Sequence, residues 1–270
     1  MAKQILFVDT LVSTVTSVST ENTNYPKENL LVPESPFEPW KTTVNNSDQY
    51  AIFDFGAPTT ITGVAVFNPN YTNYLVQGSD SSTFATVPVD SGTITMIQDP
   101  DRLRYNNYQN PQSYGTPFAH RYLRIYIPAQ ATTDSTSIFK TGGVSFSTGD
   151  TELIFNPNLG FNITVTRPVN SIQKAGGGAP ETRVRGERYA SISFNTRRYA
   201  NKVLQIEEIA SKIISIDEGD TVVFFDNGEW QTYPTDSPFV YCAKRVGAPS
   251  KSFNTNKIIE VTGINFVENI

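Results

Sequence analysis

Short segments of β-branched and aromatic residues recur along this sequence, and they constrain its fold more than any other feature. Such segments occupy residues 50–55, 61–67, 74–77, 121–127 and 142–147. In the fourth of them aliphatic residues alternate with tyrosine and arginine, which is typical of a strand with one buried face. Gly56 and Pro58 predict a turn between the first two segments. So many short strands predict an N-terminal β-sandwich.

A second unit is predicted to begin near residue 151, so that the chain divides into domains 1–150 and 151–270. Residues 161–166 and 189–194 alternate between apolar and polar side chains, as strands do. Between them, residues 168–187 contain three consecutive glycines, which cannot hold a regular element cheaply. We therefore predict a long, mobile loop that links two strands.

One α-helix is predicted over residues 199–215, where apolar residues recur at helical spacing. Asn195 or Thr196 is placed to cap its start. Further along, Asn227-Gly228 predicts a β-hairpin, because both residues tolerate a positive φ. The remaining strands are predicted at 221–225, 229–233, 239–246 and 257–267. The expected fold class is mainly β, with a jelly-roll sandwich first and then a β-rich domain that carries one helix.

The charge balance and the single cysteine exclude several classes of protein. The net charge is −5 and the isoelectric point is about 5.0, which disfavours nucleic-acid binding through a general basic surface. Cys242 is the only cysteine, so no disulfide can form within the chain. No stretch approaches the roughly 20 apolar residues of a membrane-spanning helix, and no signal peptide is recognisable. We expect neither a nucleic-acid partner nor a membrane span.

No constellation of residues typical of an enzyme is recognisable. His120 is the only histidine, no G-x-S-x-G motif occurs, and one cysteine with one histidine cannot build a zinc site. Asp99 and Asp101 are the closest carboxylate pair for glycoside hydrolysis, but they are more simply interpreted as loop carboxylates. Calcium binding by scattered Asp and Asn oxygens stays open. We predict no catalytic residue, no cofactor and no metal site, and thus a protein that is not an enzyme.

Aromatic residues are concentrated in two predicted loops, 68–74 and 98–118. Rings beside arginine and amide groups suit both sugar stacking and protein interfaces. We favour a protein interface, because a sugar site usually needs positioned acids or amides in a concave pocket. Packing of the rings onto the sandwich is the remaining alternative. The candidate binding residues are Tyr71, Tyr74, Arg102, Tyr105, Tyr108 and Tyr114, with Asn106 and Gln109 as further hydrogen-bonding groups.

Several motifs follow one another in the first half of the chain. They are Trp40, then Ile52-Phe53-Asp54-Phe55-Gly56, Val76-Gln77-Gly78-Ser79-Asp80, Arg121-Tyr122-Leu123-Arg124-Ile125 and Gly143-Val144-Ser145-Phe146. This ordered set resembles the discoidin-type, galactose-binding-like domains over residues 30–148. The resemblance implies a jelly-roll sandwich whose ligands bind at loops on one end. The cysteine pair that brackets the animal discoidin domains is missing here.

The layout of the full chain resembles tail proteins of long-tailed bacteriophages, in which a discoidin-like half is joined to a β-rich half. The resemblance implies a structural virion protein of the distal tail or baseplate, made in the host cytoplasm. Such a protein would form a hexameric ring and contact the tail-tube and tail-tip proteins. The alternative is a carbohydrate-binding adsorption module that recognises host surface glycan.

A ring of this kind would need surfaces for its neighbours, and the second half offers two. Strands 161–166 and 189–194 are expected at sheet edges, where a neighbour could pair with them. Loop 168–187 is expected to act as a basic assembly arm that a partner orders. The residues of this arm are Lys174, Arg183, Arg185 and Arg188, preceded by Arg167.

Overall fold

The computed structural model describes most of the first half of the chain and separate segments of the second. The described residues are 5–8, 13–32, 38–96, 98–99, 104–109, 118–148, 150–152, 158–166, 169–172, 181–184, 189–199, 221–226, 236–237, 240–248, 250–254 and 258–268. They are mainly β, as predicted, and their only helical element is a 3₁₀ turn, Lys27–Leu31. None of them belongs to a helix long and apolar enough to cross a membrane.

The strands correspond closely to the alternating segments of the sequence in the first half of the chain. Up to residue 152 they are β1 (Ile5–Val8), β2 (Thr14–Val18), β3 (Trp40–Lys41), β4 (Gln49–Thr60), β5 (Gly63–Phe67), β6 (Asn73–Ser79), β7 (Val89–Asp90), β8 (Ile94–Thr95), β9 (Gln98–Asp99), β10 (Arg104–Gln109), β11 (Ala119–Ile127), β12 (Lys140–Thr141), β13 (Gly143–Ser147) and β14 (Asp150–Glu152). Beyond it they are β15 (Asn158–Thr166), β16 (Val169–Ile172), β17 (Glu181–Val184), β18 (Tyr189–Tyr199), β19 (Thr221–Asp226), β20 (Asp236–Ser237), β21 (Val240–Arg245), β22 (Ser250–Asn254) and β23 (Ile258–Glu268).

The chain divides by its internal contacts into two compact units. The first contains residues 1–99, 104–156 and 221–242, and the second contains residues 100–103, 157–220 and 243–270. This division differs from the predicted one at residue 150, because a C-terminal segment joins the first unit. One cause is strand β1, which pairs antiparallel with β14 on one side and with β19, from far along the chain, on the other.

Two antiparallel sheets pack face to face in the first unit. One has six strands in the order β2-β4-β11-β6-β7, with β8 paired to β6. The other has five strands in the order β13-β5-β10-β20, with β9 paired to β10. Their inner faces share one core, in which Phe53 of β4 meets Phe146 of β13 edge-on, with ring centroids 4.8 Å apart. Burial of these apolar side chains holds the two sheets together, and the predicted jelly-roll sandwich is confirmed.

The strand directions give this sandwich two different ends. The loop end consists of the connecting segments 19–25, 42–48, 68–72 and 128–139. Apart from the short strand β20, the sandwich is formed by one stretch of chain, which enters it at Thr14, paired with Asp54, and leaves it at Ser147, paired with Gly63. Both pairs lie toward the opposite end, because β4 runs away from the loop end and β5 returns to it.

The second unit contains a ladder in which β18 lies between β15 and β23, with β22 also paired to β23. The predicted edge position of 189–194 is therefore wrong, because the backbone of β18 is hydrogen-bonded on both sides. β15 has one partner among the described strands. The predicted loop 168–187 contains a second ladder, in which β16 pairs with β17. Backbone pairing thus replaces irregular structure on both sides of the glycines, and residues 173–180 lie outside the described part.

One predicted turn is wrong for a reason that lies in the backbone. Strand β4 does not end at Gly56 and Pro58 but continues through them to Thr60. Gly56 takes a φ of 78°, and its N–H donates to Asp54 Oδ1 at 2.7 Å, so the strand bends locally without breaking. Proline is tolerated here because β2, the neighbour on one side, pairs no further than Asp54.

Most of the predicted helix lies outside the described residues. Asn195 and Thr196, its expected capping residues, lie inside strand β18 and cap no helix. Tyr199 is the last residue of that strand, and residues 200–215 lie outside the described part of the chain. The Asn227-Gly228 hairpin also lies outside it.

Candidate binding surface

Two of the tyrosines predicted to bind a partner are buried instead. Tyr71 and Tyr74 are each 0% exposed and belong to the core of the sandwich. Tyr71 packs edge-on against Phe139, with ring centroids 5.8 Å apart, and its hydroxyl lies 3.1 Å from Thr141 Oγ1. Burial raises the pKa of the Tyr71 phenol far above its ordinary value. These rings anchor the loop end onto the core, so neither can stack on a sugar or a protein partner.

The predicted loop 98–118 is largely part of a sheet. β10 pairs with β5 over four residues, from Asn106 opposite Phe67 to Gln109 opposite Val64. Tyr105 is partly buried against the core, and the Gln109 side chain is buried, so the role predicted for Gln109 in bonding a ligand is wrong. Tyr108 is opposite Ala65 in the ladder, and its side chain is not described. The two remaining candidates, Arg102 and Tyr114, lie outside the described residues.

Most of the predicted assembly arm lies outside the described residues. Arg183 lies in β17, while Lys174, Arg185 and Arg188 lie outside the described residues. Of the residues weighed for catalysis, Asp99 lies in β9 and Asp101 is outside the described part. Cys242 is buried in β21.

His120 forms a polar contact at the end of the six-stranded sheet opposite the loop end. Its Nδ1 lies 3.2 Å from Asp80 Oδ2, and its ring packs edge-on against Phe118. The backbone N–H of Arg121 donates to the other oxygen of Asp80 at 3.1 Å. These hydrogen bonds, with that from the Arg121 backbone first, lower the pKa of the Asp80 carboxyl. No nucleophile of the described residues lies within hydrogen-bonding distance of His120 in these contacts, so the arrangement is that of a structural pair.

Three amide side chains hold the loop end together, and that of Gln130 forms five hydrogen bonds. Its Oε1 accepts hydrogen bonds from the backbone N–H groups of Thr72 and Asn73 and from the Thr72 hydroxyl, at 2.9–3.0 Å. Its Nε2 donates to the carbonyls of Asn73 and Pro128 at 2.7 and 3.1 Å. The side chain thus supplies the hydrogen bonds that a β-sheet would supply, and it fixes segment 68–72 to segment 128–139.

Asn70 plays a similar part at the next loop and is 1% exposed. Its Oδ1 accepts the backbone N–H of Lys140 at 2.8 Å. Its Nδ2 lies within donating distance of Asp134 Oδ1, Thr136 Oγ1 and the Ile138 carbonyl, at 3.0–3.1 Å. One buried amide therefore shapes most of segment 128–139 from inside.

Asp134 completes this loop by joining Asn70 to Lys140, whose Nζ lies 2.7 Å from Asp134 Oδ2. Partial burial raises the pKa of the Asp134 carboxyl, but hydrogen bonds from Lys140, Thr136 and Asn70 outweigh that effect and hold the pKa well below its ordinary value. The carboxylate is therefore charged and fully engaged at neutral pH.

Gln49 is the third amide and lies at the start of β4, 1% exposed. Its Oε1 accepts hydrogen bonds from the hydroxyls of Ser19 and Thr20 at 2.7 and 2.5 Å. Its Nε2 donates to the carbonyl and hydroxyl oxygens of Ser47 at 3.2 and 3.0 Å. Gln49 thereby joins segment 19–25 to segment 42–48.

Direct contacts between the loops complete the loop end. Asn45 connects segment 42–48 to segment 128–139 twice: its Nδ2 donates to the Thr136 carbonyl, and its own carbonyl accepts the Gln130 N–H, both at 3.3 Å. Asp48 accepts the Tyr126 hydroxyl and the Ala129 N–H, and these bonds, the tyrosine first, lower the pKa of its carboxyl. Polar groups remain exposed on this fixed frame, and they include Asn46, Ser47, Thr133, Ser135 and Ser137.

The outer face of the six-stranded sheet carries a row of tyrosine and arginine side chains beside the loop end. Tyr122, Arg124 and Tyr126 alternate outward along β11 and are all partly buried. Arg124 Cζ lies 4.4 Å from the ring centroid of Phe84 and 5.3 Å from that of Tyr126. Burial lowers the pKa of Arg124. Segment 81–88 brings Phe84 over the sheet, with a φ of 51° that bulky residues seldom adopt.

Sequence reasoning missed the amides because they carry no motif. The signal that could have found them is positional: Gln49, Asn70 and Gln130 each lie within three residues of a strand end. A buried amide at such a position replaces the backbone partners that the end of the ladder leaves unpaired. Polar residues next to strand ends are common, however, and only the fold shows which of them point inward.

With this geometry in place, residues 14–140 match the F5/8 type C domain. The matched part, a little under half of the chain, is similar to that family. The F5/8 type C domain includes all four segments of the loop end, and the predicted discoidin-type resemblance is confirmed. The predicted resemblance to phage tail proteins stays a prediction. No curated protein matches the sequence.

Several solved structures are similar to about half of this chain. Reduced XRCC1 bound to the DNA polymerase β catalytic domain is 14% identical, with 53% of this chain and 99% of that chain covered and a TM-score of 0.41. A fucose-binding module of Streptococcus pneumoniae, SpX-3, is 11% identical, with coverage of 53% and 99% and a TM-score of 0.39. The first CBM32 of a family 31 glycoside hydrolase from Clostridium perfringens is 9% identical, with coverage of 50% and 93% and a TM-score of 0.37. Similarity this low says nothing about the ligand of this chain.

Proposed function

We propose that the F5/8 type C domain of this protein is a carbohydrate-binding module and that glycan binds at its loop end. The observation that supports this most is the frame of three amides, the buried Gln49 and Asn70 and the partly buried Gln130, which fixes four loops at one end of the sandwich. Fixed loops lose little conformational entropy when a ligand binds, so weak hydrogen bonds to hydroxyl groups are sufficient.

The groups exposed on this frame are of the type that sugars require. Segments 42–48 and 128–139 contain amide, hydroxyl and carboxylate side chains, and a sugar hydroxyl both donates and accepts hydrogen bonds. Asn46 and Ser137 are exposed and form no hydrogen bond with other described residues. They are therefore available to a ligand without any change in the fold.

This proposal replaces the protein interface that we favoured from the sequence for the aromatic segments, since Tyr71 and Tyr74 are buried. A structural place in a phage tail has no observation in the described residues to favour it, and it stays a prediction whose test is a reconstruction of the tail. The absence of enzymatic activity likewise stays a prediction. A carbohydrate-binding module is compatible with both, because adsorption to a host surface needs binding alone.

The test is a glycan array probed with the full-length protein and with two variants. We expect binding to a restricted set of glycans by the unchanged protein and a loss of at least about tenfold in affinity for Asn46→Ala combined with Ser137→Ala. The matched control is Ser82→Ala combined with Thr86→Ala, because both residues are exposed and lie in segment 81–88, away from the loop end. We expect the control to bind as the unchanged protein does.

The outcomes separate the proposal from its alternatives. Absence of binding to any glycan would overturn the carbohydrate-binding function. Glycan binding that survives the loop-end change but is lost in the control would move the site to segment 81–88. Urea unfolding of each variant, followed by tryptophan fluorescence, verifies that the changes leave the fold intact.

A further inference from the structure

Two arginines of strand β11, three positions apart, have opposite surroundings. Arg121 is fully engaged, since its Nε and Nη2 donate to the two oxygens of Asp54, both at 2.8 Å. Arg124 donates from Nε to Gln77 Oε1 at 2.8 Å and forms no ion pair with a carboxylate of the described residues. Within the described part of the chain, both terminal amino groups of Arg124 are thus left without an acceptor.

The guanidinium of Arg124 is nevertheless held in a fixed place. The rings of Phe84, Tyr126 and Tyr50 surround it, with centroids 4.4, 5.3 and 6.0 Å from Cζ. Attraction between a cation and the ring faces favours this position, and the rings exclude water from one side of the guanidinium. The group is therefore positioned and partly desolvated before any ligand arrives.

Two further features maintain this arrangement. Gln77, which accepts the Nε hydrogen bond, is fixed in turn by donation from its Nε2 to Asp90 Oδ2 at 2.6 Å. Phe84 keeps its ring on Arg124 with a φ of 51°, and strained backbone of this kind is found preferentially at functional sites. A purely structural arginine would be satisfied by a carboxylate partner, as Arg121 is by Asp54.

We propose that Arg124 binds the carboxylate of an acidic sugar within the glycan that occupies the loop end. This inference rests on the proposed function and names the class of ligand. Tyr126 connects the two places, because its ring flanks Arg124 while its hydroxyl donates to Asp48 of the loop end. A glycan on the loop end that extends past Tyr126 reaches the guanidinium.

The chemistry of a guanidinium suits a carboxylate better than a neutral hydroxyl. The two terminal amino groups can donate parallel hydrogen bonds to the two oxygens of one carboxylate. Partial burial strengthens that attraction relative to an exposed pair. The Asp90 carboxylate is nearby and opposes an incoming anion, but it already accepts hydrogen bonds from Gln77 and from the Gly92 N–H. The ligand therefore competes with no existing salt bridge.

The experiment compares one glycan array before and after its carboxylates are converted to neutral amides. Amidation removes the charge and leaves the sugar rings unchanged, so it isolates the contribution of the carboxylate. We expect the full-length protein to bind carboxylated glycans and to lose about tenfold or more in affinity when they are amidated. The same preference should weaken with added salt, because it is partly electrostatic.

Variants of the two arginines assign the preference to Arg124. Arg124→Gln should bind acidic and amidated glycans equally. Arg124→Lys should keep only part of the preference, since lysine keeps the charge but not the planar fork. Arg121→Gln is the matched control on the same strand and should keep the preference of the unchanged protein.

The outcomes distinguish this inference from the function on which it rests. Binding of the unchanged protein to neutral glycans alone, or equal binding before and after amidation, overturns the inference and leaves the carbohydrate-binding function standing. No glycan binding at all overturns both. If the folded Arg124→Gln variant still prefers carboxylated to amidated glycans, the carboxylate binds at another residue, and the inference is overturned. If neither Arg124 variant folds, the comparison of the two arrays with the unchanged protein still decides.

Discussion

Three amide side chains fix the shape of the loop end through hydrogen bonds, as backbone hydrogen bonds do in tight turns. They belong to Gln49, Asn70 and Gln130. Each is buried or partly buried, and each bonds at least one backbone group in a loop next to a strand end. An unsatisfied buried polar group costs about 1–3 kcal/mol, so such an amide cannot be removed without cost. The shape of the loop end therefore depends on a few side chains whose own amide groups are almost fully used.

At the same scale, Asp134 should make stability depend on pH. Its pKa is held below its ordinary value, so its contribution is fully present above about pH 4 and is lost as the pH falls through the folded-state value. We expect Asp134→Asn to lower the free energy of unfolding by about 1 kcal/mol or less at pH 7, as partly exposed ion pairs do. The difference from the unchanged protein should shrink between pH 5 and pH 2, and urea unfolding at several pH values measures it.

Lys140 provides the control for that prediction, because its Nζ is the cation 2.7 Å from Asp134. With Lys140→Met already in place, Asp134→Asn should cost less at pH 7 than it does in the unchanged protein. An identical cost in both backgrounds would contradict an ion-pair origin.

Gly78 is expected to be intolerant of a side chain for a steric reason. A Cβ at this position would lie 2.6 Å from Cε2 of Phe118, a fully buried ring. We expect Gly78→Ala to destabilise the fold by about 1–3 kcal/mol, as overpacking in a core does. The measurement is the urea midpoint of the full chain. Adding Phe118→Leu, which removes the ring, should recover part of the loss, and no coupling between the two changes would refute the steric explanation.

The sequence predicts the burial of a side chain better within a strand than in a connecting segment. Alternation along 121–127 correctly separated inward Leu123 and Ile125 from outward Arg124, because a strand has only two faces. Tyr71 lies outside the strands and follows no such alternation, and a tyrosine in a connecting segment is equally suited to a core and to a surface. Which of the two applies depends on residues distant in the chain, such as Thr141, and the local pattern does not contain them.

At the scale of elements, the predictions failed where pairing overrides local signals. Strand β10 was predicted as loop because Asn, Tyr and Gln dominate it, yet its position between β5 and β20 holds it extended. Strand β4 passes through Gly56 and Pro58 for a related reason, since its pairing with β11 resumes at Thr59 and Thr60. In both cases pairing with neighbouring strands extends a segment whose composition is typical of a loop or turn.

The clamp between segments 68–72 and 128–139 gives a prediction at this scale. We expect Gln130→Ala to lower the free energy of unfolding by about 1–3 kcal/mol, because it leaves the Thr72 and Asn73 N–H groups without their acceptor. The backbone amides of these two residues should exchange hydrogen faster, which mass spectrometry or NMR can measure. Asn46→Ala is the control, since Asn46 is exposed and belongs to the same end of the sandwich. Unchanged exchange in Gln130→Ala would contradict the clamp.

At the scale of the whole molecule, the sandwich should fold without the rest of the chain. All members of its core cluster lie between Leu30 and Phe146. We expect a fragment of residues 13–148 to unfold cooperatively in urea, with a midpoint close to that of a 1–150 fragment, because in both β1 lacks its partner β19 and β10 lacks the two-residue strand β20. Loss of cooperativity in 13–148 alone would show that β1 and β14 are part of the folding unit.

The chain enters and leaves the sandwich toward one end, and all four connecting loops of the loop end lie at the other. A domain with this arrangement can be inserted between two segments of an unrelated polypeptide while its recognition surface points away from the junction. Substitutions near the entry and exit of the chain then leave the binding specificity unchanged, and substitutions in the loops leave the connection to the rest of the polypeptide unchanged. Evolution can therefore vary the two independently, and an engineer could transplant residues 13–148 as a cassette.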